Sequence, residues 1–369
     1  MSLRAPAVLL LVLPLLLWGC SEYQRFDSVG HLRSEFAGRV ESASASSIEV
    51  PFELTPELQV ELDQKLRPNP NERRQVDEIL DYIFSRLGLR YALFPTRSAS
   101  ETYASREGNC LSFVNLFVGV ARERGLNPFY VEVMDYQKWS HRQGMVVSQG
   151  HIVAGMYVSG ELKTYDFLPY RPKGYKSFKP ITDLTATAHY YNNLGGEALM
   201  EGDYERAGKY LPLATQIDPG FVKAWNNLGV YLSRSKQPER ALEVFRRALA
   251  LEPQSSILLI NMASAYQDLG QTEEAARLLT QVEEIETTNP YFFVYQSDLA
   301  LSRGEPQKAL DYLARALRQD TENPEVHVSL VKAYMALGEV EKARHHLKRA
   351  LTLDATNEEA RKLARMMGP

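Results

Sequence analysis

The feature that most constrains this chain is a period of 34 residues in its C-terminal half. Ala207, Ala241, Ala275, Ala309 and Ala343 are each separated by 34. Four positions later stand Leu211, Phe245, Leu279, Leu313 and Leu347, and three beyond those Ala214, Ala248, Val282, Ala316 and Ala350. Spacings of four and three put a small, a large and a small side chain on one face of a helix that packs closely on its neighbour. A unit of this kind cannot bury its apolar face alone, so the five copies over residues 188–355 predict five helical hairpins stacked as an all-α solenoid. The polar stretch Asn357 to Met367, within the terminal segment 356–369, reads as a capping helix.

The second copy carries Trp225, Leu228, Gly229, Ala241, Phe245, Ala248 and Pro253, and the first Tyr191, Leu194, Gly195, Ala207, Leu211, Ala214 and Pro219. Both resemble the tetratricopeptide repeat (TPR) pattern. Later copies drift: Met262-Ala263 and Gln296-Ser297 stand where the first two copies have Leu-Gly. The resemblance implies a right-handed superhelix whose concave groove binds a peptide or protein partner. It also implies that side chains such as Asn192, Asn226, Tyr291 and Lys332 face inward, although they do not form the Lys/Asn carboxylate clamp of chaperone-binding members.

The opposite end reads as an address. Arg4 precedes an uncharged stretch from Ala5 to Gly19 that is interrupted by Pro14. It is shorter than the roughly 20 residues that span a bilayer, so residues 1–19 fit a signal peptide better than a membrane helix. Leu17-Trp18-Gly19-Cys20 resembles the lipobox of bacterial lipoproteins, with Trp18 bulkier than the usual residue. That resemblance implies cleavage before Cys20, lipidation there, and a lipid-anchored protein of the bacterial cell envelope. Ser21 rather than Asp after the cysteine points to the outer membrane, facing the periplasm. Residues 20–50, with the run Ser42 to Ser47, read as a lipidated flexible tether.

Composition excludes more than it selects. The chain has 369 residues, 42 Lys+Arg and 46 Asp+Glu, a formal charge of −4. That balance gives no basic surplus for nucleic acid. Two cysteines, Cys20 and Cys110, exclude a disulfide scaffold. The seven histidines show no metal-ligand spacing, and no phosphate-binding loop occurs, so neither a metal nor a cofactor is expected.

Residues 51–185 do not repeat. Asn71 to Leu87 is amphipathic, with Val76, Ile79, Leu80, Ile83 and Phe84 on one side. Glu107-Gly108-Asn109 reads as a turn that starts a nearly uncharged, buried helix at Cys110, where free N–H groups and the positive dipole end suit a reactive thiol. Pro128 to Met134 and His151 to Val158 read as strands, and Ser159-Gly160 as the turn into a third, Glu161 to Phe167. Pairing across that turn sets His151 opposite about residue 168, with Asp166 a cross-strand neighbour. Arg171 to Lys179, with four basic residues, reads as a solvated interdomain linker.

Gly108-Asn109-Cys110 with Phe113, Ala121-Arg122, Gly125-Leu126, His151 and Tyr165-Asp166 resemble the transglutaminase-like branch of the papain-like cysteine enzymes over roughly residues 70–170. The resemblance implies an α+β domain in which Cys110 is the nucleophile, His151 the base and Asp166 its orienter. It also implies an oxyanion site at the Cys110 N–H, for which Tyr103 is a candidate second donor. The tryptophan that animal transglutaminases carry near the nucleophile has no equivalent. His141, in the polar stretch Trp139 to Gly144, lacks a following Asp. Two readings follow. One is a cysteine-dependent protease, amidase or transglutaminase-type enzyme whose repeats recruit a partner. The other is a catalytically inactive adaptor or scaffold in envelope assembly.

Overall fold

The computed structural model describes residues 28–40, 48–142, 145–158, 160–168, 175–285 and 290–368. The signal segment, Cys20 and the run Ser42 to Ser47 lie outside them. Among the described residues no helix is long and apolar enough to cross a membrane.

The N-terminal region corrects the expectation of a tether over 20–50. Helix α1 (Val29–Arg39) is capped by Ser28, whose hydroxyl accepts from the His31 N–H at 3.1 Å. Its Leu32 and Phe36, four apart and therefore on one face, are fully buried, as are Ile48 and Val50 nearby. Two large buried residues in a largely polar helix give almost no sequence signal, and Val29 adds to their contact with the core.

Helix α2 (Pro56–Lys65) and α3 (Glu72–Leu80) follow, and α3 runs on into a π-helical turn, Asp81–Arg86. A two-residue parallel pair, β1 (Arg90–Tyr91) with β2 (Glu107–Gly108), flanks α4 (Ala99–Ser105). Next come α5 (Cys110–Glu123), β3 (Phe129–Arg142), β4 (Met145–Val158), β5 (Glu161–Tyr165) and β6 (Phe178–Ile181). The sheet order is β5-β4-β3-β6, with every neighbouring pair antiparallel. β3 and β4 extend well past the predicted strand ends, because the polar stretch around His141 continues the backbone ladder beyond an irregularity between Val133 and Lys138. Phe178–Ile181 is strand rather than linker, and Pro180 is tolerated because β6 is an edge.

Period-two alternation divides the sheet. Ile152, Ala154, Met156 and Val158 of β4 join the main core with α5, whereas Val153 joins Val131 and Val133 in a separate cluster bordered by Tyr136 and Tyr175.

Five hairpins follow: α6 (Asp183–Glu201) with α7 (Tyr204–Ile217), α8 (Val222–Arg234) with α9 (Pro238–Leu251), and α10 (Ser256–Asp268) with α11 (Thr272–Glu284). The last two are α12 (Pro290–Ser302) with α13 (Pro306–Gln319) and α14 (Pro324–Ala336) with α15 (Val340–Leu353), closed by α16 (Glu358–Met367). The periodic alanines Ala207, Ala241, Ala275, Ala309 and Ala343 are all buried. Gly229, in the first helix of the second hairpin, is small for the same close packing: a Cβ would lie 2.3 Å from the Phe245 ring. The first hairpin begins at Asp183, earlier than residue 188, behind the N-cap Thr182. The main core is continuous from Leu32 to Ala224, so the α+β domain and the first repeats share one apolar interior. Tyr191 seals the same junction, accepting from the Glu49 N–H at 2.7 Å.

Candidate active site

Cys110 occupies the first position of α5 because Asn109 stops the chain from being helical one residue earlier. Asn109 has extended backbone angles, and its side-chain oxygen accepts from the Ser112 N–H at 3.0 Å. Its amide N–H in turn donates to Thr96 Oγ1 at 2.7 Å, tying the helix start to the loop before α4. Behind the cap, Leu111 to Ala121 are all buried. Gly119 permits that depth: a Cβ there would lie 2.3 Å from the carbonyl oxygen of Phe52. Cys110 itself is only half-buried. At the first position of a helix its N–H has no intrahelical acceptor.

His151 on β4 and Asp166 just after β5 meet as the strand pairing predicts. The pairing Ala154 to Tyr165 sets the register, and Gly160, in the left-handed region at φ 82°, makes the turn. His151 Nε2 lies 2.8 Å from Asp166 Oδ1. The His151 side chain is 1% exposed and that of Asp166 28%. Cys110 is close enough to the same imidazole to favour its charged form. Burial works against a charged ring, but Asp166 and Cys110 outweigh it and raise His151 to about 9. The Asp166 carboxyl is pushed up by its own burial and down, more strongly, by His151, the Leu168 N–H and the Tyr175 hydroxyl, and ends below the usual range.

Aromatic rings enclose the group. Tyr136 and Tyr175 lie 5.2 and 5.5 Å from the imidazole centroid. On the helix side Phe84, from the π-helical turn, stacks on Phe167 at 4.8 Å and meets Phe113 edge-on at 6.0 Å. The amphipathic helix predicted over 71–87 therefore packs on the residue that follows Asp166.

Tyr103 does not join the site. Its hydroxyl donates to Glu61 Oε1 at 2.6 Å and lies 2.8 Å from the Tyr82 hydroxyl, so its one proton is spent. The His141 side chain lies outside the described residues. Sequence reasoning misses Tyr175, because it stands in a basic stretch whose composition suggests solvent. The only local signal is the alternation from Phe178 to Ile181, which marks a strand immediately behind it. Among the described residues no group of three His, Cys, Asp or Glu side chains is placed to hold a metal ion. Two clefts of about 670 and 480 Å³ flank α7, and neither is lined by Cys110, His151 or Asp166.

The expected groove residues are largely committed to the array. Asn227 donates to Asn192 at 2.9 Å and Asn261 to Asn226 at 2.7 Å, bonds that join successive first helices. Tyr291 is buried, and Lys332 pairs with Glu359 of the capping helix at 3.6 Å. Of the four, Lys332 is the most exposed; Asn192 and Asn226 staple successive repeats and Tyr291 is buried.

Residues 60–172 match the transglutaminase-like superfamily, and residues 202–256, 232–293 and 300–366 match tetratricopeptide repeats. The chloroplastic tetratricopeptide repeat domain-containing protein PYG7 of Arabidopsis thaliana is 31% identical over 70 residues, 19% of this chain and 23% of that protein. A TPR repeat-containing protein of Dictyostelium discoideum is 30% identical over 90 residues, 22% of this chain and 34% of that one. The chain thus spans about a third or less of these relatives' length. Among solved structures, a thermophilic TPR protein of Thermus thermophilus aligns at 20% identity and a TM-score of 0.44, covering 49% of this chain and 98% of that one. The chain therefore carries a transglutaminase-like domain over residues 60–172, followed by tetratricopeptide repeats.

Proposed function

We propose that this is a lipid-anchored protein of the bacterial cell envelope whose Cys110, His151 and Asp166 perform cysteine-dependent acyl transfer on peptide or protein amides, with the TPR array holding a protein partner. In that reaction the Cys110 thiol passes its proton to His151, and its sulfur attacks the amide carbonyl carbon to give a tetrahedral intermediate that collapses to a thioester. The C–N bond breaks, and the departing amine takes a proton from the His151 imidazolium. Water or a second amine, deprotonated by His151, then releases the acyl group and restores the thiol. Asp166 keeps the imidazole in register, and the Cys110 N–H is aimed at the developing oxyanion. Hydrolysis and cross-linking share the thioester and differ only in the acceptor.

The observation that carries this reading is the buried His151 imidazole held by Asp166 at 2.8 Å, in a domain whose helix α5 starts at Cys110. Anchoring through a lipid on Cys20, at the outer membrane facing the periplasm, rests on the sequence from Arg4 to Ser21. An activated ester such as p-nitrophenyl acetate tests the chemistry. The wild type should show a stoichiometric burst with an acetyl group on Cys110 by mass spectrometry. Cys110→Ala should abolish it, and His151→Ala should slow it by about 10²-fold or more. A folded protein with no burst would support the inactive adaptor instead. Incorporation of labelled palmitate in a bacterial host, lost in Cys20→Ala, tests the anchor.

A further inference from the structure

Asp166 has two carboxylate oxygens, and only one of them faces His151. The other, Oδ2, accepts from the Tyr175 hydroxyl at 2.8 Å. Oδ1 is shared between His151 Nε2 and the Leu168 N–H at 3.0 Å. Asp166 lies just beyond the end of β5, where no strand pairing fixes it. A carboxylate bound through one oxygen can swing about its χ2, which is a broad torsion; bound through both, it cannot.

The Tyr175 ring is itself fixed in place. Its centroid lies 5.5 Å from His151, 6.2 Å from Tyr136 and 6.1 Å from Phe178. The backbone behind it is held by Asp135, whose carboxylate accepts from the Lys176 N–H at 2.7 Å and the Ser177 N–H at 3.3 Å. Asp135 also precedes Tyr136, so one carboxylate secures both segments whose tyrosines flank the imidazole. The Met134 N–H donates to the Ser177 carbonyl at 2.9 Å and completes that attachment to β3.

We infer that Tyr175 is a positioning residue of the candidate site: its hydroxyl holds the second oxygen of Asp166, so that the first stays aligned on His151. The purpose of that alignment rests on the acyl-transfer reading above. The alignment itself does not, and it is measured without any substrate. Tyr175→Phe keeps the ring against His151 and removes only the hydroxyl, so packing is retained.

The test follows the His151 imidazole resonances as a function of pH in the full chain, assigned by their loss in His151→Gln. In Tyr175→Phe the midpoint should fall by about one pH unit, because a carboxylate free to swing stabilises the imidazolium less. In an Asp166→Asn background the further change Tyr175→Phe should leave the midpoint unmoved, since the hydroxyl acts only through that carboxylate. Asp135→Asn, which loosens the Tyr175 segment from β3, should give a smaller fall in the same direction. An unchanged midpoint in Tyr175→Phe, or an equal fall with Asp166 already replaced, would overturn the inference. If the midpoint falls as expected while Cys110 shows no reactivity, the positioning role stands and the acyl-transfer reading fails.

Discussion

Arg122, in the last turn of α5, grips Asp183, in the first turn of α6, through two hydrogen-bonded contacts of 2.7 and 2.8 Å. The helix that presents Cys110 and the helix that begins the repeats are therefore joined end to end. Both side chains are removed from water, with 15% and 4% exposure. The third contact of Arg122 is to the Pro128 carbonyl at 3.1 Å, and its guanidinium lies 4.6 Å from the Phe52 ring centroid. The pair sits within the continuous core, so the domain and the first repeats should unfold as one unit.

Removing one partner leaves the other charged and buried. Asp183→Asn should destabilise the junction by about 3–5 kcal/mol, the usual cost of breaking a buried pair. Denaturant unfolding, followed separately by the Cys110-domain and repeat signals, checks this. Loss of the domain's stability together with that of the first repeat is the expected outcome.

The N-terminal helix gives an equally direct expectation. Phe36 is fully buried and belongs to the main core. Phe36→Ala should cost about 3–5 kcal/mol, as large-to-small changes at buried aromatics do. A neutral effect in thermal unfolding would show that α1 is not part of the domain.

Gly229→Ala tests the packing that sets the repeat. The added methyl would meet the Phe245 ring at 2.3 Å, and Phe245 sits inside a well-packed cluster. Overpacking of this kind costs about 1–3 kcal/mol. Hydrogen exchange should show the loss concentrated in the second hairpin, because solenoid repeats are coupled mainly to their neighbours.

His151 links stability to pH. Its folded value, about 9, lies above the ordinary imidazole value of 6.5. The folded state therefore holds the proton more tightly, and the stabilisation is fully present below about pH 6.5 and is lost as pH rises through 9. Unfolding free energy should fall across that window in the wild type. Replacing Asp166 by Asn removes the main favourable partner and should flatten the dependence.

What the sequence made legible follows from how local each signal is. The repeats can be read because each copy states the same small–large–small spacing, and five restatements outweigh the drift at Met262 and Gln296. His151 and Asp166 can be brought together because one tight turn sets their register over a short separation, and Cys110 can be placed at a helix start by the Gly108-Asn109 turn before it. Tyr175 cannot, because its partner Asp166 lies across a loop whose path no periodicity encodes. Nor can α1, whose fully buried residues are only Leu32 and Phe36. Analogy with the repeat family puts Asn192 and Asn226 on a binding surface. Their amides instead meet Asn227 and Asn261, a pairing that depends on the distance between neighbouring hairpins rather than on either residue's own position.

The central claim is that Cys110 is an activated nucleophile, and the pH dependence of its alkylation tests it most directly. Cys110 is half-buried and reachable, and labelling by iodoacetamide can be read at its own peptide by mass spectrometry. An activated thiol paired with His151 should label fast at about pH 6–7, should lose that rate on unfolding, and should slow in His151→Ala. Labelling of the folded protein that rises only near pH 8–9, as for an ordinary cysteine, and that is indifferent to His151→Ala would contradict it.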